Sequence, residues 1–456
     1  MHSLPTAGES ADGVLSRLNE LKKSDGVVEV AYLWKNALDP TAYPSLGRFE
    51  RDVTAIAASH LRGDAVGSFT SGGTESLMLA VKTMRDWARA EKGISRPNFV
   101  MPVTAHPAFM KASHYLDVEV RRVPVDQNLR ADVPAIEAAI DDSTAMLVGS
   151  SPGYSFGVID PIPEIAALAA SRGLLCHVDA CIGGWLLPLF RELGADVPPF
   201  DFEVDGVTSI SVDFHKYALC AKGASCLLFR DPALRRYQFF SFVGWPGYVL
   251  LNSTIQSTKS GGPLASAWAV LHHIGHDGYL EIARHIYDAT QAIVEEVHGI
   301  DGARVVAEPD ASLIAVATDV DAFAVSDAMG RRGWRHFPQL SYEDLPRSIH
   351  LTVLPGNVER VGEWAAALRE SIDEVAAAPE PTGLAAVKSA VKSMDLDSLS
   401  FDQLDQLLDM AGIDPLADSD GPSMAEMNDL LDSLPPAVCA KVLTLFLDRM
   451  TRPSQS

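Results

Sequence analysis

Between residues 64 and 290 the chain alternates short apolar runs with segments of helical periodicity, and this alternation restricts the possible folds most. Phe99 to Val103, Val118 to Val125, Ala145 to Gly149, Leu174 to Val178, Gly206 to Val212 and Ser225 to Phe229 read as strands. Pro102, which has no N–H to give to a ladder, marks the end of the first. Helical patterns such as Ile165 to Ser171 lie between them. The order predicts an α/β fold, a mainly parallel sheet with helices on both faces. Ligands of such sheets bind beyond the carboxyl ends of the strands.

Reactive residues cluster at such strand ends and helix starts. The run Thr208 to Val212 leads into Asp213-Phe214-His215-Lys216-Tyr217. A lysine closing a largely buried strand is costly unless something uses it. Burial disfavours the ammonium, which predicts a neutral Lys216 amine suited to an imine with an aldehyde, most commonly pyridoxal phosphate (PLP). Alone, Lys216 also reads as an exposed strand-end lysine. Asp179 closes the apolar run Leu175 to Val178. It is either a helix cap or the partner of a pyridinium nitrogen, with Ala180 small enough for a flat ring to lie against. Thr70-Ser71-Gly72-Gly73-Thr74-Glu75-Ser76 precedes a helix carrying Leu77, Ala80, Val81, Met84 and Ala88 on one face. Its glycines and hydroxyls suit a phosphate at a helix N-terminus, or an ordinary capped turn. His106, between a strand and a helix, is a candidate to stack on a ring or a structural histidine.

Taken together and in this order, Gly-Gly-Thr-Glu-Ser, the His before a helix, His177-Val178-Asp179-Ala180-Cys181-x-Gly183-Gly184 and Ser209-Ile210-Ser211-x-Asp213-x-His215-Lys216-Tyr217 resemble the PLP-dependent group II decarboxylase superfamily. Within it the wording is similar to the sphingosine-1-phosphate lyase branch, including Gly157-Val158-Ile159-Asp160-Pro161 and Lys222-Gly223, over about residues 27–378. The resemblance implies a fold-type-I PLP-dependent transferase fold with a seven-stranded sheet, and a homodimer with shared active sites. It implies that Lys216 is the Schiff-base lysine, Asp179 the pyridinium partner and His106 the stacking ring. Ser71, Gly72, Gly73, Thr74 and His215 would surround the cofactor phosphate. Thr258, Gly261 and Gly262 lie in a segment that would reach the phosphate across the dimer. Lys222 would be the second lysine of the lyase branch, and it or Tyr217 would assist proton transfer. Two stretches differ from the family wording: Ala218-Leu219-Cys220-Ala221 stands for Gly-Tyr-Ala-Pro, and Thr258-Lys259-Ser260 for Ser-Arg-Pro.

The expected organisation is an N-terminal segment (1–58), a large cofactor domain (59–290), a small α/β domain (291–378), then a linker and an acidic helical tail (379–456). From Lys388 onward the tail carries 12 Asp and Glu against 5 Lys and Arg, and it lies outside the family wording. It is expected to pack on its own enzyme or to dock a protein partner. The net charge of −23 argues against nucleic acid and against anionic membrane surfaces. Cys176, Cys181, Cys220, Cys226 and Cys439 form no Cys-x-x-Cys pair, and with no basic region followed by an apolar core in the first residues, no signal peptide is expected. A cytoplasmic enzyme acting on a small amino substrate is expected, with no metal. Its reaction is expected to be carbon–carbon cleavage giving an aldehyde and an amine. Amino-acid decarboxylation and a non-catalytic scaffold acting through the tail are the rival readings.

Overall fold

The computed structural model describes residues 3–22, 35–37, 42–378, 400–410 and 423–452. The start of the expected linker and tail, 379–399, lies outside the described residues. By its internal contacts the chain divides into two units. One comprises residues up to Thr290 with Ala307–Leu313, the other Gln291–Val306 and Ile314 onward.

The first unit opens with α1 (Ala11–Lys22) and α2 (Pro44–His60). α2 begins at Pro44, whose fixed φ and missing N–H suit a first helical position. There follow β1 (Val66–Thr70), α3 (Gly73–Glu91), β2 (Asn98–Pro102), α4 (Ala108–Leu116), β3 (Glu119–Val123), α5 (Val133–Ala139), β4 (Thr144–Ser150), α6 (Ile162–Ser171), β5 (Leu175–Asp179), α7 (Gly183–Glu192), β6 (Ser209–Val212) and β7 (Ser225–Phe229). A short α8 (Pro232–Arg235) and the hairpin β8 (Phe240–Phe242) and β9 (Leu250–Asn252) lead into α9 (Gly262–His298), which kinks at Gly275, where φ is +66°.

The seven strands β1 to β7 form one sheet in the order β1-β7-β6-β5-β4-β2-β3. Strands β3, β2, β4, β5 and β6 are mutually parallel; β7 runs against both β6 and β1. The mainly parallel expectation holds. β2, β4, β5, β6 and β7 are buried along their whole length, as strands covered on both faces should be. One cover is α3, whose Leu77, Val81, Met84 and Ala88 join Phe99, Met146 and Val148 of the sheet in one apolar cluster. Because β1, β2, β4, β5 and β6 point the same way, Ser71, Thr104, Ser150, Asp179 and Asp213 follow or close strands on one edge of the sheet. That edge carries the site.

The second unit holds a four-stranded sheet, β10 (Ala303–Val305), β11 (Leu313–Thr318), β13 (Ser348–Thr352) and β12 (Phe337–Gln339) in that order, with α10 (Ala322–Arg331) and α11 (Val361–Ala377). The tail contributes α12 (Phe401–Met410), α13 (Met424–Ser433) and α14 (Pro436–Thr451). Leu404, Leu408, Leu430, Val438, Val442 and Leu445 bury one another and give these three helices a small core. α13 lies against α10. Arg347 ties it there, reaching Asp429 at 2.8 Å and Asp432 at 2.7 Å, with Asp321 at 3.6 Å. The Ala425 N–H donates to Asp327 Oδ2 at 2.9 Å.

Candidate active site

A cavity of about 370 Å³ opens at that sheet edge, large enough for a small ligand. Ser71, Gly72, Gly73, Thr74, His106, Asp179, His215 and Lys216 all line it. Segments 145 residues apart in sequence, from Ser71 to Lys216, therefore meet at one place.

Lys216 is not the neutral amine that burial alone predicts. Its Nζ lies 3.0 Å from Asp213 Oδ2. Burial does work to lower its pKa, but Cys181, Asp213 and Asp179 together raise it. The Cys181 thiol is itself pushed far up by burial and is neutral at pH 7, so the two carboxylates hold the ammonium. The counter-charge comes from three residues upstream in the same turn, an approach that burial alone does not reveal. His215 Nε2 stands 3.5 Å from the same Asp213 oxygen, and its Nδ1 accepts from the Ala224 N–H at 3.2 Å. That leaves the ring proton on Nε2, facing Asp213. Burial lowers the His215 pKa against the pull of Asp213.

Asp179 is buried, with Oδ1 accepting from the Cys181 N–H at 3.1 Å and, more loosely, from Ser211 Oγ at 3.4 Å. Behind it His177 is fixed by Ser209 Oγ at 2.9 Å and lies 3.5 Å from Ser211 Oγ. Burial lowers the His177 pKa to about 4 against the pull of Asp179, so the imidazole is neutral at pH 7. The neighbouring strand end is braced by Asp160, which takes the N–H groups of Ser150 at 2.7 Å and Ala131 at 2.8 Å. His106 is half-buried, and its Nδ1 accepts from the Ala108 N–H at 3.2 Å.

The glycine turn leads directly into α3. Gly72 caps α3 with φ +157° and ψ +167°, a conformation essentially limited to glycine. A Cβ on Gly73 would lie 2.8 Å from Cys181 Sγ and 2.9 Å from Asp213 Oδ2, so no side chain fits there. The first N–H groups of α3 have no carbonyl to bond within the helix and form the positive end of its dipole.

Other sequence candidates lie elsewhere. Ala180 is fully buried and does not line the cavity. The Tyr217 hydroxyl is engaged by Ser312 Oγ, and burial raises its pKa to about 12. Lys222 Nζ donates to the His215 carbonyl at 3.1 Å. Neither residue lines this cavity. Thr258, Gly261 and Gly262 also lie outside its lining. The Gly261 N–H donates to the Lys35 carbonyl at 2.8 Å, and Gly262 opens α9. Sequence reading assigned no role to Asp213, Glu75 or Tyr154, all of which line the cavity. Asp213, beside the lysine, was the one the motif could have flagged.

Residues 50–318 match the profile described as "Pyridoxal-dependent decarboxylase conserved domain". Residues 385–449 match a second, "Pyridoxal-dependent enzyme, C-terminal putative HTH domain". The tail thus has counterparts among pyridoxal-dependent enzymes, which corrects its placing outside the family wording. A sphingosine-1-phosphate lyase of Arabidopsis thaliana is 40% identical over 369 residues, 79% of this chain and 67% of that one. A probable L-tyrosine/L-aspartate decarboxylase of Methanothrix thermoacetophila is 34% identical over 378 residues, 78% of this chain and 94% of that one. The solved sphingosine-1-phosphate lyase of Burkholderia pseudomallei superposes with a TM-score of 0.73 at 32% identity, covering 86% of this chain and 91% of that one. This chain spans about two thirds of the length of the plant lyases it matches, 67% and 65% for the two compared.

The residues present fit PLP. A buried carboxylate, a glycine cradle at a helix start and a lysine line one cavity. There Asp213 Oδ1 is buried with no hydrogen-bond partner among the described residues, as expected of a site that a polar ligand completes. The chain belongs to the pyridoxal-dependent decarboxylase family, and it is a PLP-dependent lyase.

Proposed function

We propose that the chain cleaves the bond between the α-carbon and the hydroxyl-bearing carbon of a phosphorylated amino alcohol, giving an aldehyde and a phosphorylated amine. The observation that carries this reading is the 32% identity to the Burkholderia pseudomallei lyase across 91% of that chain. Bound PLP supplies an electron sink for the bond broken at the α-carbon. Lys216 would hold the cofactor, Asp179 would sit at its ring nitrogen, His106 would lie against the ring, and the Ser71–Thr74 turn would hold its phosphate. Cleavage also needs an acceptor for the substrate's hydroxyl proton. Neither Tyr217 nor Lys222 lines the cavity, whereas Tyr154 does and is 39% exposed. Tyr154 is the proposed acceptor. Replacing it with phenylalanine is expected to lower kcat by about a hundred-fold, within the range of general acid–base catalysis. PLP affinity should stay the same. A kcat within threefold of wild type would remove Tyr154 from the chemistry.

Two protomers are proposed to share their sites, with Thr258, Gly261 and Gly262 serving the neighbouring cofactor, because none of them lines the cavity of its own chain. Amino-acid decarboxylation is the second reading, favoured by the 34% identity to the archaeal enzyme over 94% of its length. Mass spectrometry of products from a panel of amino acids and phosphorylated amino alcohols separates the two. Aldehyde with a phosphorylated amine is expected; carbon dioxide release with no aldehyde from any substrate would overturn the proposal.

A further inference from the structure

Glu75 divides its two carboxylate oxygens between distant parts of the chain. Oε2 accepts from the Ser71 N–H at 2.7 Å, while Oε1 accepts from the N–H groups of Ile255 at 2.9 Å and Gln256 at 3.3 Å. An acidic residue in the first turn of a helix commonly folds back onto the residue capping that helix. Here it passes over Gly72 and ties down the turn itself. Glu75 is 8% exposed, and a buried carboxylate keeps its place only when such donors stay aimed at it. Ile255 and Gln256 lie three and four residues beyond Asn252, the last residue of the β8–β9 hairpin. From Tyr237 to Thr258 the chain runs 22 residues without a charged side chain, in a protein of net charge −23. Phe242, Trp245, Tyr248 and Val249 of this stretch are exposed. A segment with so little burial of its own depends on anchors for its order.

We propose that Glu75 is a positioning residue that locks the hairpin to the cofactor turn, so that hairpin order and PLP affinity are one linked property. The inference rests on the PLP reading of the cavity. One carboxylate satisfies both sets of N–H groups only when both segments are in place, and such linkage is reciprocal. Cofactor binding that fixes the Ser71–Thr74 turn also fixes the hairpin. Whatever orders the hairpin, a second protomer included, tightens cofactor binding by the same factor.

The test compares the apo and PLP-loaded full chain by limited chymotrypsin cleavage at the hairpin aromatics, with PLP affinity from absorbance titration. In wild type, PLP is expected to slow hairpin cleavage severalfold. E75Q keeps one carbonyl oxygen and so loses one of the two links. It should lose the PLP-dependent slowing and bind PLP about ten-fold more weakly, as expected for a charge-assisted hydrogen bond. A merely structural carboxylate would lower the Tm of E75Q yet leave the slowing intact, and that result overturns the proposal. So does loss of slowing with unchanged affinity. The wild-type comparison stands even if E75Q does not fold, because PLP that binds without protecting the hairpin overturns the linkage alone. A wild-type chain that binds no PLP overturns the cofactor reading as well.

Discussion

Lys216→Ala is expected to lose turnover by about a thousand-fold or more, the scale on which enzymes lose activity with a covalent group. Borohydride reduction of wild type should fix the cofactor to the peptide containing Lys216, and mapping of the variant should find no label. Removing the lysine also strips Asp213 of its cation at 3.0 Å and leaves a buried carboxylate uncompensated, so the alanine variant should melt earlier. Lys216→Arg separates the two effects. The guanidinium keeps the charge beside Asp213 but does not deprotonate to act as a nucleophile. Its Tm should approach wild type while its turnover matches the alanine variant. Turnover within ten-fold of wild type in either variant would show that another amine holds the cofactor.

Asp179→Asn is expected to bring the next largest loss, about a hundred-fold or more in kcat, the size seen when a preorganised electrostatic partner is removed. The amide preserves shape but cannot hold a proton on a ring nitrogen. The N–H of Cys181 and the hydroxyl of Ser211 still have an oxygen to meet, so the fold should tolerate the change. The lysine and the glycine cradle remain, so the cofactor should still bind with a changed absorbance spectrum. Spectral titration alongside steady-state kinetics checks this. An Asn variant with wild-type spectrum and kcat would mean that Asp179 only caps the turn before α7.

Much of this site is legible in the sequence because it lies where strands end. Runs such as Leu175 to Val178 are apolar up to the residue that carries chemistry, so Asp179 stands out against its own strand. β1, by contrast, went unread: Val-Gly-Ser-Phe-Thr has too few apolar residues to look like a strand, and its burial comes from β7 and α2. The charge of Lys216 was misjudged for a similar reason. Burial is visible in a sequence, whereas the approach of Asp213 depends on how the turn after β6 closes. Glu75 reads as an ordinary first-turn acid because its partner Ile255 lies 180 residues away. Tyr154 sits in a loop with no periodicity to read. The three-residue strands β10 and β12 carry too little pattern to separate from loops, and the hairpin's aromatics alternate with glycine and proline in a way that signals only a turn.

Arg347 has a practical consequence for anyone trimming this protein. The helical extension invites removal as an appendage, yet shortening the gene before α13 would strip away Asp429 and Asp432, two of the three carboxylates around that guanidinium, and bare the surface of α10 that α13 covers. A shortened version designed for crystallisation or assay would gain a new sticky face. Keeping α13 and α14 avoids that artefact.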